Sequence, residues 1–265
     1  MNRLFLSQTF LISVLFAAWA ASAAEFHVAT TGNDGNAGSA VAPLRTISAA
    51  AQRAQAGDTI TVHAGVYRER VSPPRGGQSD AKRIIYRAAP GERVTIKGSE
   101  IVKGWSKVQG EVWKLTLPNT FFGGFNPYRD VIHGDWFDGK GRTHHTGAVY
   151  LNGDWQAWTS REAKIKPTSG VKTLCLAFKS PPPDPQFAST LNPQLWLAHV
   201  DATNTVIWAR FKGIDPNREV VEINVRPTVF TPERAGIDYI TVRGFDLRHA
   251  AAPWAPPTAG QIGVI

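Results

Sequence analysis

The sequence has one cysteine, Cys175, in 265 residues, so no intrachain disulfide can form. Cys175 lies in the apolar run T-L-C-L-A-F with no paired histidine beside it, which reads as a small core residue and not a nucleophile. Runs of like charge are also missing. The net charge is +8, but no stretch holds five or six basic residues together, and no nucleic-acid-binding motif is present. The basic balance therefore describes a solvated surface. Past the first residues, no segment is apolar enough to cross a membrane. No H-E-x-x-H or comparable pattern joins His27, His63, His133, His199 and His249, which read as hydrogen-bonded structural residues. His144-His145 makes a poor metal site, because adjacent residues of a strand face opposite ways. No motif calls for a cofactor.

What the sequence does have is turns and rings. With 24 Gly, 18 Pro, 9 Trp and 13 Phe, it reads as turn-rich, β-rich and able to bury a sizeable core. Residues 1–23 read as a secretory signal: Arg3 supplies the positive end, Leu4 to Trp19 is mostly apolar, and Ala21-Ser22-Ala23 fits a cleavage site. The mature chain is expected to be secreted, to the periplasm or beyond, and free of the membrane.

The stretch Ala56–Arg70, A-G-D-T-I-T-V-H-A-G-V-Y-R-E-R, organises the remainder. A helix ends at Gly57, a β run follows over Thr59 to His63, and Gly65 turns the chain into another over Val66 to Val71. Like runs return in R-I-I-Y-R-A-A-P-G from Arg83, R-V-T-I-K-G from Arg93 and D-Y-I-T-V-R-G-F from Asp238. The reading is a stack of parallel strands, a β-solenoid. The helix ahead of it, with Leu44, Ile47, Ala51 and Ala54 on one face, caps the open end. Thr31–Ala42 is a turn-rich loop in which Asp34 forms turns and does not bind calcium. Ser72–Lys82 is an excursion between two faces.

From about Lys103 the character changes. Trp105, Trp113, Trp136, Trp155, Trp158, Trp196 and Trp208 appear, with alternating segments Ala148–Asn152, Leu195–Val200, Thr205–Phe211 and Val220–Val225 punctuated by Asn152-Gly153 and Asp215-Pro216-Asn217. This predicts a β-sandwich over 103–226 inserted into the solenoid, which occupies 24–102 and 227–265. Only about three coils precede Ile265, so an N-terminal fragment is expected, with apolar surface and a strand edge exposed on its last coil.

Candidate chemistry concentrates between Phe121 and Tyr150: F-F-G-G-F-N-P-Y, H-G-D-W-F and H-H-T-G-A-V-Y-L-N-G. Aromatic faces stack on sugar rings and nearby Asp, Asn and His bind hydroxyls, although each single aromatic is better read as core. Glycosidases use two carboxylates at about 5–5.5 or about 6.5–9.5 Å. Asp130, Asp135 and Asp138 have no fixed geometry from sequence, and Asp58 and Glu69 read as turn and surface residues. No pair earns a catalytic role.

These motifs, with D-P-N-R-E-V-V-E-I-N-V-R, G-I-D-Y-I-T-V-R-G-F and P-W-A-P-P-T, resemble the N-terminal part of the β-xylosidases of glycoside hydrolase family 120, in order from Phe26 to Thr258. The resemblance implies an all-β, right-handed parallel β-helix interrupted by an immunoglobulin-like sandwich. It implies a retaining enzyme that removes xylose from xylo-oligosaccharides or related plant polysaccharide fragments. Trp136, of the G-D-W motif, would line the sugar pocket. The family's aspartate nucleophile and glutamate acid/base lie on later coils, so no residue here takes either role and the chain alone is expected to be inactive. The final G-Q-I-G-V-I drifts from the family pattern. Two other readings stay open: a non-catalytic carbohydrate-binding or surface β-helix protein, and a lyase acting on acidic pectin, which would need a calcium site.

Overall fold

The structure is a computed structural model that describes residues 23–132, 143–155, 157–158 and 195–252. Residues 1–22 of the candidate leader lie outside the described residues, as do His133, Asp135, Trp136, Asp138, Cys175 and residues 253–265. The regular elements of the described chain are mostly strands, with a single α-helix. No helix in it is long and apolar enough to cross a membrane.

The first strands are short and parallel. Strand β1 (Glu25–Val28) pairs with β2 (Thr59–Val62). Between them lies α1 (Ile47–Arg53). After Gly65 comes β3 (Gly65–Tyr67), then β4 (Ile84–Ala88) beside β2 and β5 (Val94–Lys97) beside β3. Because side chains alternate along a strand, Ile60 and Val62, Ile84 and Tyr86, and Val94 and Ile96 all turn to one side, where each is fully buried. Burying each such aliphatic side chain contributes roughly 1.5–3 kcal/mol. The run expected over Val66 to Val71 is strand only as far as Tyr67; Val71 makes one isolated bridge to Phe230.

Helix α1 begins at Thr46, whose hydroxyl accepts the N–H of Ala49 at 3.1 Å. The carboxylates of Asp34 and Glu69 take the N–H groups ahead of it: Arg45 and Thr46 donate to Asp34, and Ile47 and Ser48 to Glu69. Leu44, Ile47, Ala51 and Ala54 form its buried face, in one core with the parallel strands. The helix packs on β1 and β2, at the edge of the first parallel sheet.

The next strands are antiparallel. They are β6 (Ser99–Ile101), β7 (Ser106–Gln109), β8 (Val112–Pro118), β9 (Val149–Leu151), β10 (Asp154–Trp155), β11 (Ala157–Trp158), β12 (Leu195–Val200), β13 (Asn204–Arg210) and β14 (Val221–Asn224). They form two sheets, in the orders β10-β9-β14-β6 and β11-β12-β13-β8-β7; the β11–β12 pair alone among them is parallel. The β9–β10 hairpin turns on Asn152-Gly153, both at positive φ, as such a two-residue turn requires. One core lies between the sheets. Val149, Leu151, Val221 and Ile223 come from the first, and Leu115, Trp196, Ile207 and Ala209 from the second. Rings fill it edge to face: Trp105 on Phe211 at 5.1 Å, and Tyr128 on Trp196 at 5.5 Å.

The chain then returns. Strand β15 (Ile240–Arg243) adds to β4, and β16 (Phe245–Arg248) to β5, both parallel. The pairs β2–β3, β4–β5 and β15–β16 thus each give one strand to each parallel sheet, and each pair is called a coil below. Gly76 and Gly77 bring the loop before β4 against the chain entering β15. Gly77 N donates to Asp238 O at 3.1 Å, and a Cβ on Gly76 would lie 1.9 Å from that oxygen. Among the described residues, Ile240, Val242, Phe245 and Leu247 are only half-buried, unlike their counterparts in the earlier coils.

Candidate functional site at the junction of coils and insertion

Strand β14 reads V-E-I-N and all four residues are buried. Val221 and Ile223 face the insertion core. Alternation sends Glu222 and Asn224 the other way. An isolated carboxylate there would be very unfavourable without partners. Glu222 is 0% exposed and has four polar neighbours. Arg68 Nη1 lies at 2.6 Å, Lys97 Nζ at 2.9 and 3.0 Å from its two oxygens, and Ser99 Oγ at 3.0 Å. His249 Nδ1 is 3.0 Å from the same Ser99 hydroxyl and 3.8 Å from Glu222, and its ring stacks on Tyr150 at 3.7 Å. Arg68 follows β3, Lys97 ends β5 and His249 follows β16, so each coil sends one side chain to this point.

Burial pushes the Glu222 carboxyl up, but hydrogen bonds from Lys97 and Arg68, with their charges, outweigh it and hold the group below its usual range. Burial lowers His249, and Lys97 and Arg248 add to this against the pull of Glu222, bringing it to about 4. At neutral pH the cluster is therefore two cations, one carboxylate and a neutral imidazole. A carboxylate so bound is neither a proton donor nor an exposed nucleophile. The arrangement can fix geometry.

Asn224 ties a second feature to the same strand face. Its side chain accepts Ala148 N at 2.7 Å and donates to Thr146 O at 2.8 Å. Thr146 belongs to a short stem in which Ile132 N donates to His144 O at 2.8 Å, Val131 bridges His145, and Thr146 Oγ1 donates to Asp130 Oδ2 at 2.9 Å. Tyr128 OH donates to Ala148 O at 2.7 Å. Gly147 lies flat against that ring; a Cβ there would come within 2.6 Å of it. The stem leads into residues 133–142, which carry Trp136 and lie outside the described residues.

Other sequence candidates are placed as follows. Phe122, Tyr128 and Tyr150 are buried, which fits the core reading, whereas Phe121 is 41% exposed. Asp58 forms the expected turn, accepting Ala24 N and Gln55 N at 2.7 Å each, and it is buried. Glu69 is taken up by the start of α1. His63 bonds His27 and Glu92, each at 3.0 Å. His145 Nδ1 meets Asp130 O at 3.1 Å. Among the described residues, no three His, Cys, Asp or Glu side chains converge as metal ligands. Sequence reasoning missed Glu222. The available signal was a lone acid followed two positions later by an amide in V-V-E-I-N-V, a polar pair on one face of a buried strand.

The comparisons with known proteins agree with this layout. The family model for the insertion domain of glycoside hydrolase 120 matches residues 102–223, and Val102 and Ile223 are the first and last residues of the insertion core. The solved complex of XylC with xylose is 48% identical to this chain, with a TM-score of 0.79 over 91% of it. The chain is a glycoside hydrolase family 120 xylosidase-like protein. It spans 38% of the length of XylC. A model of a family of unknown function, DUF1565, matches residues 30–72, the span from the end of β1 to just past β3. The uncharacterized protein YwoF of Bacillus subtilis (strain 168) is 33% identical to the family 120 chain over 75 residues, which are 28% of this chain and 16% of YwoF.

Proposed function

We propose that this chain forms the first coils and the insertion of an exported, retaining exo-β-xylosidase that acts on xylo-oligosaccharides. The observation that carries the reading is the 48% identity to the xylose-bound XylC over 91% of the chain, coils and insertion together. In this reading the coils open a right-handed parallel β-helix, and the insertion is an immunoglobulin-like sandwich over 103–226. Residues 1–23 direct export. Trp136 stacks on the sugar, and the reacting aspartate and glutamate belong to coils beyond those present here.

The carboxylate chemistry supports this division. Asp58, Glu69 and Glu222 are each engaged by several backbone N–H groups, hydroxyls or cations, which leaves none of the three placed as an acid/base or nucleophile. The test is calorimetric titration of the purified chain with xylose and xylobiose, paired with an aryl-xyloside assay. Binding is expected, weakened about tenfold or more in Trp136→Ala, equivalent to at least about 1.4 kcal/mol. Xylose release is expected to be absent. Hydrolysis by this chain would overturn the placement of the reacting pair. Binding without effect of Trp136→Ala would remove that residue from the site. Absence of binding would remove the sugar site itself.

A further inference from the structure

Glu222 is the point where three coils and the insertion meet, and its partners are distributed in a way that stability alone does not require. A buried carboxylate needs one good cationic partner and a few donors. Glu222 instead takes Arg68 from the first coil and Lys97 from the second, and reaches His249 of the third through Ser99 and at 3.8 Å directly. Each of these residues sits at or just past the end of the second-sheet strand of its coil. Tyr67 stands beside Ile96 and Lys97 beside Arg248, so Arg68, Lys97 and His249 rise in near-register along the stack. On the insertion side, β14 supplies Glu222, and Tyr150, opposite it on β9, supplies the ring that stacks on His249. Two residues on, the same face of β14 supplies Asn224 to the Asp130–Thr146 stem.

We propose that Glu222 is a positioning residue: by holding Arg68 and Lys97 directly, and His249 through Ser99, it sets how the insertion, and the stem on it, lies on the coils. The two cores are built from different residues, one from the coils and one from the insertion. In this proposal each stays packed while the orientation between them changes, a freedom that a carboxylate bonded to both Arg68 and Lys97 removes. A rotation of the insertion that favoured one coil would lengthen the contact to another. Asn224 transmits the constraint, because it is fixed to the same strand and bonded to both Ala148 and Thr146.

The experiment places spin labels on the full chain at Arg70→Cys in the coils and Val108→Cys in the insertion, both exposed, with Cys175→Ser as background. Interlabel distances are read with and without Glu222→Gln. The expected result is one narrow distribution in the parent and a broad or shifted one in Glu222→Gln. Amide protection in β4 and β13 should be retained in both. Glu222→Asp, which keeps the charge, should restore part of the narrow distribution. An unchanged distribution in Glu222→Gln overturns the proposal. If that variant fails to fold, Arg68→Gln, at the rim of the cluster, decides it: the proposal predicts broadening there, and an unchanged distribution overturns it. The sugar-site consequence rests on the function proposed above. Where the parent binds xylobiose, Glu222→Gln should weaken binding about fivefold or more, about 1 kcal/mol. If the parent binds no sugar, that function fails while the distance measurement still decides the role of Glu222.

Discussion

In the coils, Ile60, Ile84 and Ile96 are fully buried on parallel strands whose partners come from well along the chain. In the insertion, Ile207 and Ile223 are just as buried, on antiparallel strands, and the volume between the sheets is filled by Trp105, Phe211, Tyr128 and Trp196. The coil core is aliphatic, apart from Tyr67 and the Tyr86–Phe230 contact. The difference shows two ways of making short strands stable. A coil repeats one small layer and gains by stacking the next upon it. The insertion has no repeat, and a few large rings fix the distance between its sheets.

The comparison is most strongly challenged by removing one large side chain from each core. Trp196→Ala should destabilise the insertion by about 3–5 kcal/mol and Ile96→Ala the coils by about 2–5 kcal/mol. Urea unfolding gives the sizes, and hydrogen exchange gives the location. Loss of protection confined to the mutated region supports two cores. Equal loss in both regions would show one cooperative unit and break the distinction.

Acid should act next, and at the junction. His249 has its folded value lowered from 6.5 to about 4. The unfolded chain therefore binds more protons between those values, and the stability His249 contributes above about pH 6.5 is lost as pH falls toward about 4. The melting temperature should drop across that window, with a shallower slope in His249→Asn. The same slope in that variant would remove His249 as the cause. Gly147→Ala should cost about 1–3 kcal/mol by forcing a methyl against Tyr128. Its effect should appear in exchange rates of the stem before those of the coils. The smallest change is Thr46→Ala, which removes the start of α1 and should cost about 1 kcal/mol, felt only in the coils. Thermal unfolding of the two variants side by side orders them.

Much of this division is readable from residues. Ile60 and Val62, or Ile84 and Tyr86, alternate cleanly, and glycines mark the turns, so the coil strands are recognisable one by one. Leu44, Ile47, Ala51 and Ala54 show the buried face of α1 without ambiguity. Asn152-Gly153 announces its hairpin because only such residues accept both positive φ angles. What is not readable is assembly across distance. Nothing local to Arg68, Lys97 or His249 tells that they converge on Glu222, since their meeting depends on where a whole sheet is laid. Asp58 shows the same division: its turn was evident, while the bond it accepts from Ala24 N, far off in the chain, was not. The candidate sugar contact, Trp136, rests on its motif.

The pairing of β4 with β15 also has a timetable. Arg83 and Thr241, joined across that pair by a hydrogen bond, are 158 positions apart, with the whole insertion between them. At synthesis rates of roughly 5–20 residues per second, the second coil waits on the order of 10–30 s for the third. During that interval its strand edge has no mate, while the insertion can already be folding. For a chain that folds as it is made, the insertion is then a delay set between the second coil and the third.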